Sequence, residues 1–465
     1  MGAHHGVPGQ APLTPRAGLA IVGLGASLAP LDIAVNVALP AITGHFRLAL
    51  ADVQWLVVCY VLVYGSLMLV CGKLGDLFGH RRIFRTGLVL SALGCAACAL
   101  APDWHLFLWA RAGQGVGTAL ALSCAPALAT AVYPPQQRLR ALAGFSMAMS
   151  LAAAAGPLLG GLLVQAWGWP AVYWVRVPIA LLTLALSGLL PAPPLARDRP
   201  FDTRGALLLA AGMSGLLLSL VLSQRAEVSA AAAATLAGIA VAVLTAYVLR
   251  SREVAEPILR PGLFADPAFA IPNLLNALAN LAGFAILLLT PYYLVRVLGL
   301  SPLLTGLMLG LAYVGSLAGA PLSARLAPRL GVRMTAFCGV VLVGLALLPL
   351  GLTTAATPLV VVALLLTLEG LGQGLLTVAY TDFVMASLPA RDRGVAGSLA
   401  LLTRTIGIVS GASVLTALQA HAGAADFLAG YRFAFLVAGG GLLAALVVSC
   451  LWPRAWFQRR GPTAP

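Results

Sequence analysis

The sequence predicts an all-α polytopic membrane protein, and three observations carry that prediction. Of 465 residues, 60% are hydrophobic and 9% charged, with a mean hydropathy of +0.97. Soluble proteins average about 45–50% apolar and about 25% charged. The apolar residues fall in runs that suit helices of about 20 residues, the length needed to cross about 30 Å of hydrocarbon. The cations gather at alternate ends of those runs, as the positive-inside rule requires.

Fourteen spans are expected, near 17–41, 53–71, 83–101, 105–132, 139–166, 172–190, 205–223, 229–249, 269–295, 303–324, 334–351, 357–386, 394–419 and 430–452. An even number puts both termini on one side. With the N-terminus in the cytoplasm, 21 of the 28 Lys and Arg face it. Arg47, Arg176, Arg225, Arg296 and Arg432 fall opposite, and Arg111 and Arg404 lie inside spans. A miscounted span would exchange the sides beyond it, so the alternation supports fourteen. The net charge of +14 thus reports topology and calls for no nucleic-acid partner. The first sixteen residues lack an apolar core followed by a cleavage site, so the first span reads as a retained helix with no signal peptide. Cys95 and Cys98, the one close cysteine pair, have no His beside them and read as packing residues, with no metal site expected.

The opening span carries Asp32 in Leu31-Asp32-Ile33-Ala34-Val35-Asn36. A carboxylate at that depth is costly, so it should face an internal cavity and be functional. At about 1.5 Å per residue it lies about 22 Å from the cytoplasmic edge. The next two spans enclose a charged clasp, Gly72-Lys73-Leu74-Gly75-Asp76-Leu77-Phe78-Gly79-His80-Arg81-Arg82. Its glycines allow a tight turn between close helix ends, Asp76 suits a cation or a helix N-terminus, and Arg81 and Arg82 suit carboxylates or lipid phosphate. Gly72, Gly75, Asp76, Gly79, Arg81 and Arg82 are therefore the candidate latch.

In the fourth span, Arg111 of Arg111-Ala112-Gly113-Gln114-Gly115-Val116-Gly117 lies about 10 Å from the outer end, at the depth of Asp32. A neighbouring guanidinium favours a charged carboxylate and a dry surround the neutral acid, so opening and closing a cavity can move a proton on and off such a pair. A static ion pair that fixes helix register is the competing reading. The fifth span holds Gly156-Pro157-Leu158-Leu159-Gly160-Gly161, small residues for close helix approach and a proline that removes a backbone hydrogen bond. Gly156, Pro157, Gly160 and Gly161 form the candidate hinge. Trp167, Trp169 and Trp174 at the entry to the sixth span read as an interfacial aromatic belt.

The seventh and eighth spans are plain Leu/Ala/Gly and lie between a Pro- and Arg-rich stretch, 191–204, and a charged segment, 250–266. The segment Gly319 to Arg333 echoes the clasp without its aspartate. In the twelfth span, Glu369 is a second intramembrane carboxylate, either a proton site or a counter-charge for a cationic substrate. Glu369, Asn36 and Gln114 are the candidate substrate contacts. Asp382, nearer the cytoplasm, is expected to pack with Arg391 or Arg393, and Arg404 is a further intramembrane charge.

The clasp resembles the signature loop of the major facilitator superfamily. The Asp32 span and the Arg-x-x-Gln-Gly-x-Gly segment resemble motifs of its fourteen-helix drug:proton antiporters, and Gly156 to Gly161 their Gly-Pro-x-x-Gly-Gly motif, with Ala152 where glycine is frequent. Arg176 stands where that family usually has asparagine, and Thr405 replaces a glutamine after Arg404. The resemblance implies two six-helix halves, 1–190 and 267–465, flanking a region with two additional helices, 191–266. It also implies a multi-pass protein of the bacterial inner membrane and export of lipophilic compounds, cationic ones among them, in exchange for protons by alternating access.

The proton gradient would be the energy source, with no cofactor, since the chain has no phosphate-binding loop, nucleophile elbow or metal-ligand cluster, and no enzyme activity is expected. The partners expected are a small-molecule substrate, protons and the bilayer, with a monomeric chain. A dedicated exporter of one metabolite or antibiotic is the first alternative, and a non-transporting membrane sensor the second.

Overall fold

The computed structural model describes residues 14–48, 50–191, 201–223, 228–300, 302–422 and 426–456. Arg197, Arg199, Arg225, Arg459 and Arg460 lie outside them, as does most of the Pro- and Arg-rich stretch. Among the described residues the chain is helical throughout: α1 Pro15–Ala26, α2 Ala34–Phe46, α3 Leu50–Phe78, α4 His80–Leu100, α5 Trp104–Ala131, α6 Arg138–Trp167, the short α7 Ala171–Trp174, α8 Arg176–Leu186, α9 Thr203–Leu222, α10 Ala230–Arg250, α11 Pro267–Tyr292, α12 Pro302–Leu330, α13 Val332–Leu350, α14 Leu359–Ser387, α15 Arg393–Ala422 and α16 Phe427–Ser449.

Short polar side chains start these helices. The side chains of Thr14, Asp103, Asp202, Ser229, Asp266 and Asp426 accept from backbone N–H groups of α1, α5, α9, α10, α11 and α16, satisfying donors that a helix leaves unpaired. Gly79, at φ +93°, turns the chain between α3 and α4, and Gly331, at φ +92°, does the same between α12 and α13. That left-handed conformation is strained for other residues.

Thirteen spans among the described residues are long and apolar enough to cross a membrane. The expected fourth span is also helical, as the 28-residue α5, but it falls outside that set. Arg111, Gln114 and several glycines dilute its hydropathy. Every α5 residue from Gly117 to Thr130 is buried, and α5 packs against α3 and α4. A helix shielded by its neighbours does not need an apolar surface for lipid.

The first span is not the single helix 17–41 that the sequence suggested. Pro30, which lacks a backbone N–H, interrupts it after α1, and a 3-10 turn over Pro30–Ile33 leads into α2. Asp32 sits in that turn. The α9/α10 pair leans on α3 and α15 at the side of the bundle. Arg250 clamps it by donating to Asp202 at 3.0 and 2.8 Å.

Candidate functional site

Three elements meet at Asp32. The Arg111 guanidinium of α5 grips its carboxylate with both terminal nitrogens, Nη1 to Oδ1 and Nη2 to Oδ2, each at 2.9 Å. Arg176, at the start of α8, donates to Oδ1 from the other side. Arg111 Nε donates to the Leu56 carbonyl at 3.1 Å and Nη1 to Gln114 Oε1 at 2.8 Å. Gln114 Nε2 in turn reaches Asp32 Oδ1 at 3.4 Å. The Tyr60 ring lies 4.6 Å from the Arg111 guanidinium carbon, and the Tyr173 ring 4.9 Å from that of Arg176. Both arginines are fully buried, whereas the Asp32 side chain retains 12% exposure. The aspartate is thus the more accessible member of the ion-paired group.

The alternation of charges along the chain assigns Arg176 to the outer side. The structure buries it in the site, where two guanidiniums face one carboxylate. The Val172 carbonyl, which accepts from Arg176 Nε at 3.2 Å, and the aromatic rings offset part of this excess, while Arg176 Nη2 is buried with no acceptor among the described residues. The missed signal was the Tyr173-Trp174-Val175-Arg176 spacing, which puts an aromatic one helical turn before an arginine near the depth of Asp32. Trp169, read as part of a belt, is buried against Phe46, Phe107 and Tyr173 beneath the cluster, while Trp167 and Trp174 are exposed on the periphery.

The candidate hinge backs this turn. A methyl group on Gly160 would sit 2.7 Å from the Ala34 carbonyl oxygen and 3.0 Å from its Cα, so the approach of α6 to the Ala34 backbone requires a glycine here. Gly156 faces Ile33 and Pro30 at ordinary contact distance, Gly161 faces open space, and Pro157 is exposed. α6 runs as one helix through the proline. Asn36 is exposed and makes no side-chain bond among the described residues.

The clasp lies at the far end of the bundle. Asp76 accepts from the backbone N–H groups of Gly394 at 2.7 Å and Val395 at 3.0 Å, at the N-terminus of α15. His80 Nε2 lies 3.3 Å from the same carboxylate. Lys73, almost wholly buried, pairs with Asp392 at 3.3 Å, and Gly72 packs on Gly394 and Ser398. Arg81 instead turns back within the N-terminal helices, donating to the Gly188 and Leu190 carbonyls at 3.2 and 2.9 Å. Arg82 is exposed. Gly75 is packed against Cys124 and His80.

Asp382 does not pair with Arg391 or Arg393. It pairs with Arg138 at the start of α6, across the two groups of helices, because α14 and α6 end side by side here while Arg391 turns toward Glu256 and Asp392. This end of the bundle is closed in the structure.

In the C-terminal helices, Glu369 is 5% exposed and makes no ion pair or hydrogen bond among the described residues. One turn on, Gln373 Oε1 is buried with no donor among the described residues, and both side chains flank Gly283 of α11. Arg404 is exposed at mid-helix, within electrostatic range of Tyr313, as is Glu369. Sequence reasoning missed a buried network beside them. Tyr380 donates to Asn273 Oδ1 at 2.7 Å and lies 2.8 Å from Thr403 Oγ1, which accepts from Asn276 at 3.0 Å. Asn280 bonds the Asn276 carbonyl at 2.8 Å. The signal was there: asparagines at 273, 276 and 280 share one helix face.

The Major Facilitator Superfamily family model matches residues 18–412 and 273–463. The Multidrug resistance protein Stp of Mycobacterium tuberculosis is 31% identical over 402 residues, covering 85% of this chain and 74% of that protein. The Tetracenomycin C resistance and export protein of Streptomyces glaucescens is 31% identical over 430 residues, covering 90% and 79%. The crystal structure of the human organic anion transporter MFSD10 superposes with a TM-score of 0.70 at 16% identity, over 95% of this chain and all of that one, a likeness of fold.

Proposed function

The chain belongs to the Major Facilitator Superfamily, and we propose that it is a proton-coupled antiporter exporting lipophilic compounds, cationic ones among them, from a bacterial cell. It carries fourteen transmembrane helices when α5 is counted, both termini in the cytoplasm, and acts as a monomer without a cofactor. Six helices precede the α9/α10 pair and six follow it, and these halves rock against each other about a central cavity.

The bidentate Asp32–Arg111 pair carries this reading. It is an intramembrane carboxylate whose charge is balanced by buried cations but whose side chain is still reachable. Proton uptake at Asp32 breaks its grip on both arginines and frees the turn that holds it. α6, resting on that turn through Gly160, then transmits the change. Gln114 takes part through Arg111, while Glu369 and Asn36 meet substrate. At the clasp, the Asp76, Lys73 and Asp382 contacts hold the cytoplasmic end shut, and their release opens the cavity inward.

The test is proton release from proteoliposomes carrying an internal pH-sensitive dye when lipophilic cations and neutral drugs are added. Release with several cations, absent in Asp32→Asn, supports the antiporter. Uphill efflux by Asp32→Asn at the wild-type rate refutes the switch. A response to a single compound supports a dedicated exporter, the reading suggested by the relative named for tetracenomycin C.

A further inference from the structure

A second polar site lies outside this machinery, at the end of the bundle that carries the clasp. A cavity of about 480 Å³ opens where the 3-10 turn Pro261–Ala265, the start of α11, the start of α13 and the end of α14 converge. Arg260, Arg333, Asp266 and Ser387 give it polar walls, and Leu263 and Phe269 apolar ones. Arg333 donates through Nη1 to the Arg454 carbonyl at 2.6 Å and lies 5.0 Å over the Phe383 ring, so its guanidinium is held in place. Its Nε is buried with no acceptor among the described residues. The Arg260 guanidinium is exposed, with no side-chain partner among them. Asp266 is occupied in part by capping α11, where it accepts from the Ala268 N–H at 2.9 Å.

We infer that this cavity binds a phosphate group, supplied by the headgroup of an anionic phospholipid. Two guanidiniums against one carboxylate leave net positive charge, and guanidinium donors match phosphate oxygens in geometry. The apolar wall and the neighbouring Phe264, 38% exposed, match the glycerol and first methylenes of a lipid rather than a hydrated ion. The site sits where helix ends meet the membrane surface, the depth at which headgroups lie. Nothing in it depends on proton coupling or export.

The experiment is thermal unfolding of the purified full chain in detergent, with added phosphatidylglycerol, phosphatidylcholine or inorganic phosphate. A saturable rise in Tm of about 2 °C or more is expected with phosphatidylglycerol alone. Arg260→Gln, which removes a side chain with no partner, should abolish the rise, and Arg140→Gln, an exposed arginine elsewhere on the same surface, should keep it. An Arg260-dependent rise with inorganic phosphate overturns the lipid source and assigns a soluble phosphate compound. Absence of any rise, or equal loss in both variants, overturns the site.

Discussion

The carboxylate of Asp76 caps a helix of the opposite half, accepting from the Gly394 N–H at 2.7 Å and so closing α3 onto the start of α15. A charge placed on a helix N-terminus gains from both the free amides and the helix dipole, and in the proposed rocking cycle the contact is made or lost as a unit. Asp76→Asn weakens it by about 1.5–3 kcal/mol, the range for hydrogen bonds to a charged group. Labelling of a cysteine at Ser398 by a membrane-impermeant maleimide in inside-out vesicles should rise several-fold. An unchanged rate would show that the cap does not hold this end closed.

The two arginines on Asp32 are not equivalent. Arg111 makes the bidentate pair and anchors Leu56 and Gln114, whereas Arg176 adds a second cation to a carboxylate already paired. Arg111→Gln should abolish transport. Arg176→Asn, which leaves one buried pair intact, should keep measurable efflux with an altered pH profile. Dye-based proton release in proteoliposomes across a pH series measures both.

Gly160 and Gly161 make a matched comparison. A methyl at Gly160 collides with the Ala34 backbone, while one at Gly161 meets nothing within 4 Å. Gly160→Ala should cost about 1–3 kcal/mol of overpacking and displace the Asp32 turn, lowering efflux at least tenfold with protein still in the membrane. Gly161→Ala should transport at the wild-type rate. Equal rates would remove α6 from the coupling.

Glu369 has no cation paired with it among the described residues. Glu369→Gln keeps its shape and removes only its charge. Efflux of cationic compounds should fall by about tenfold, the effect of roughly 1.4 kcal/mol, and neutral compounds should be unaffected. A parallel fall for both classes would assign it to helix packing.

Arg138 and Asp382 join α6 to α14 across the halves. Reversing either charge alone should reduce efflux, and the double exchange Arg138→Asp with Asp382→Arg should restore much of it. A double-mutant cycle on transport rate gives the coupling.

Much of this protein can be read from its chain. The spans, their alternating charged ends, the turn at Gly79 and the intramembrane charges at Asp32, Arg111 and Glu369 all follow from local composition. The cost of placing polar groups in hydrocarbon leaves only a few arrangements open. Depth arithmetic along two helices even placed Asp32 and Arg111 level with each other.

Partnership across the bundle was not legible in the same way. Asp382 chose Arg138 over its sequence neighbours, Arg176 turned inward to Asp32, Arg81 stayed within its own half, and α5 hid its polar residues behind α3 and α4. Hydropathy and spacing report how far along a helix a residue lies. Rotation about the helix axis and the choice of neighbour are set by packing among helices distant in sequence, and only the tertiary structure decides those.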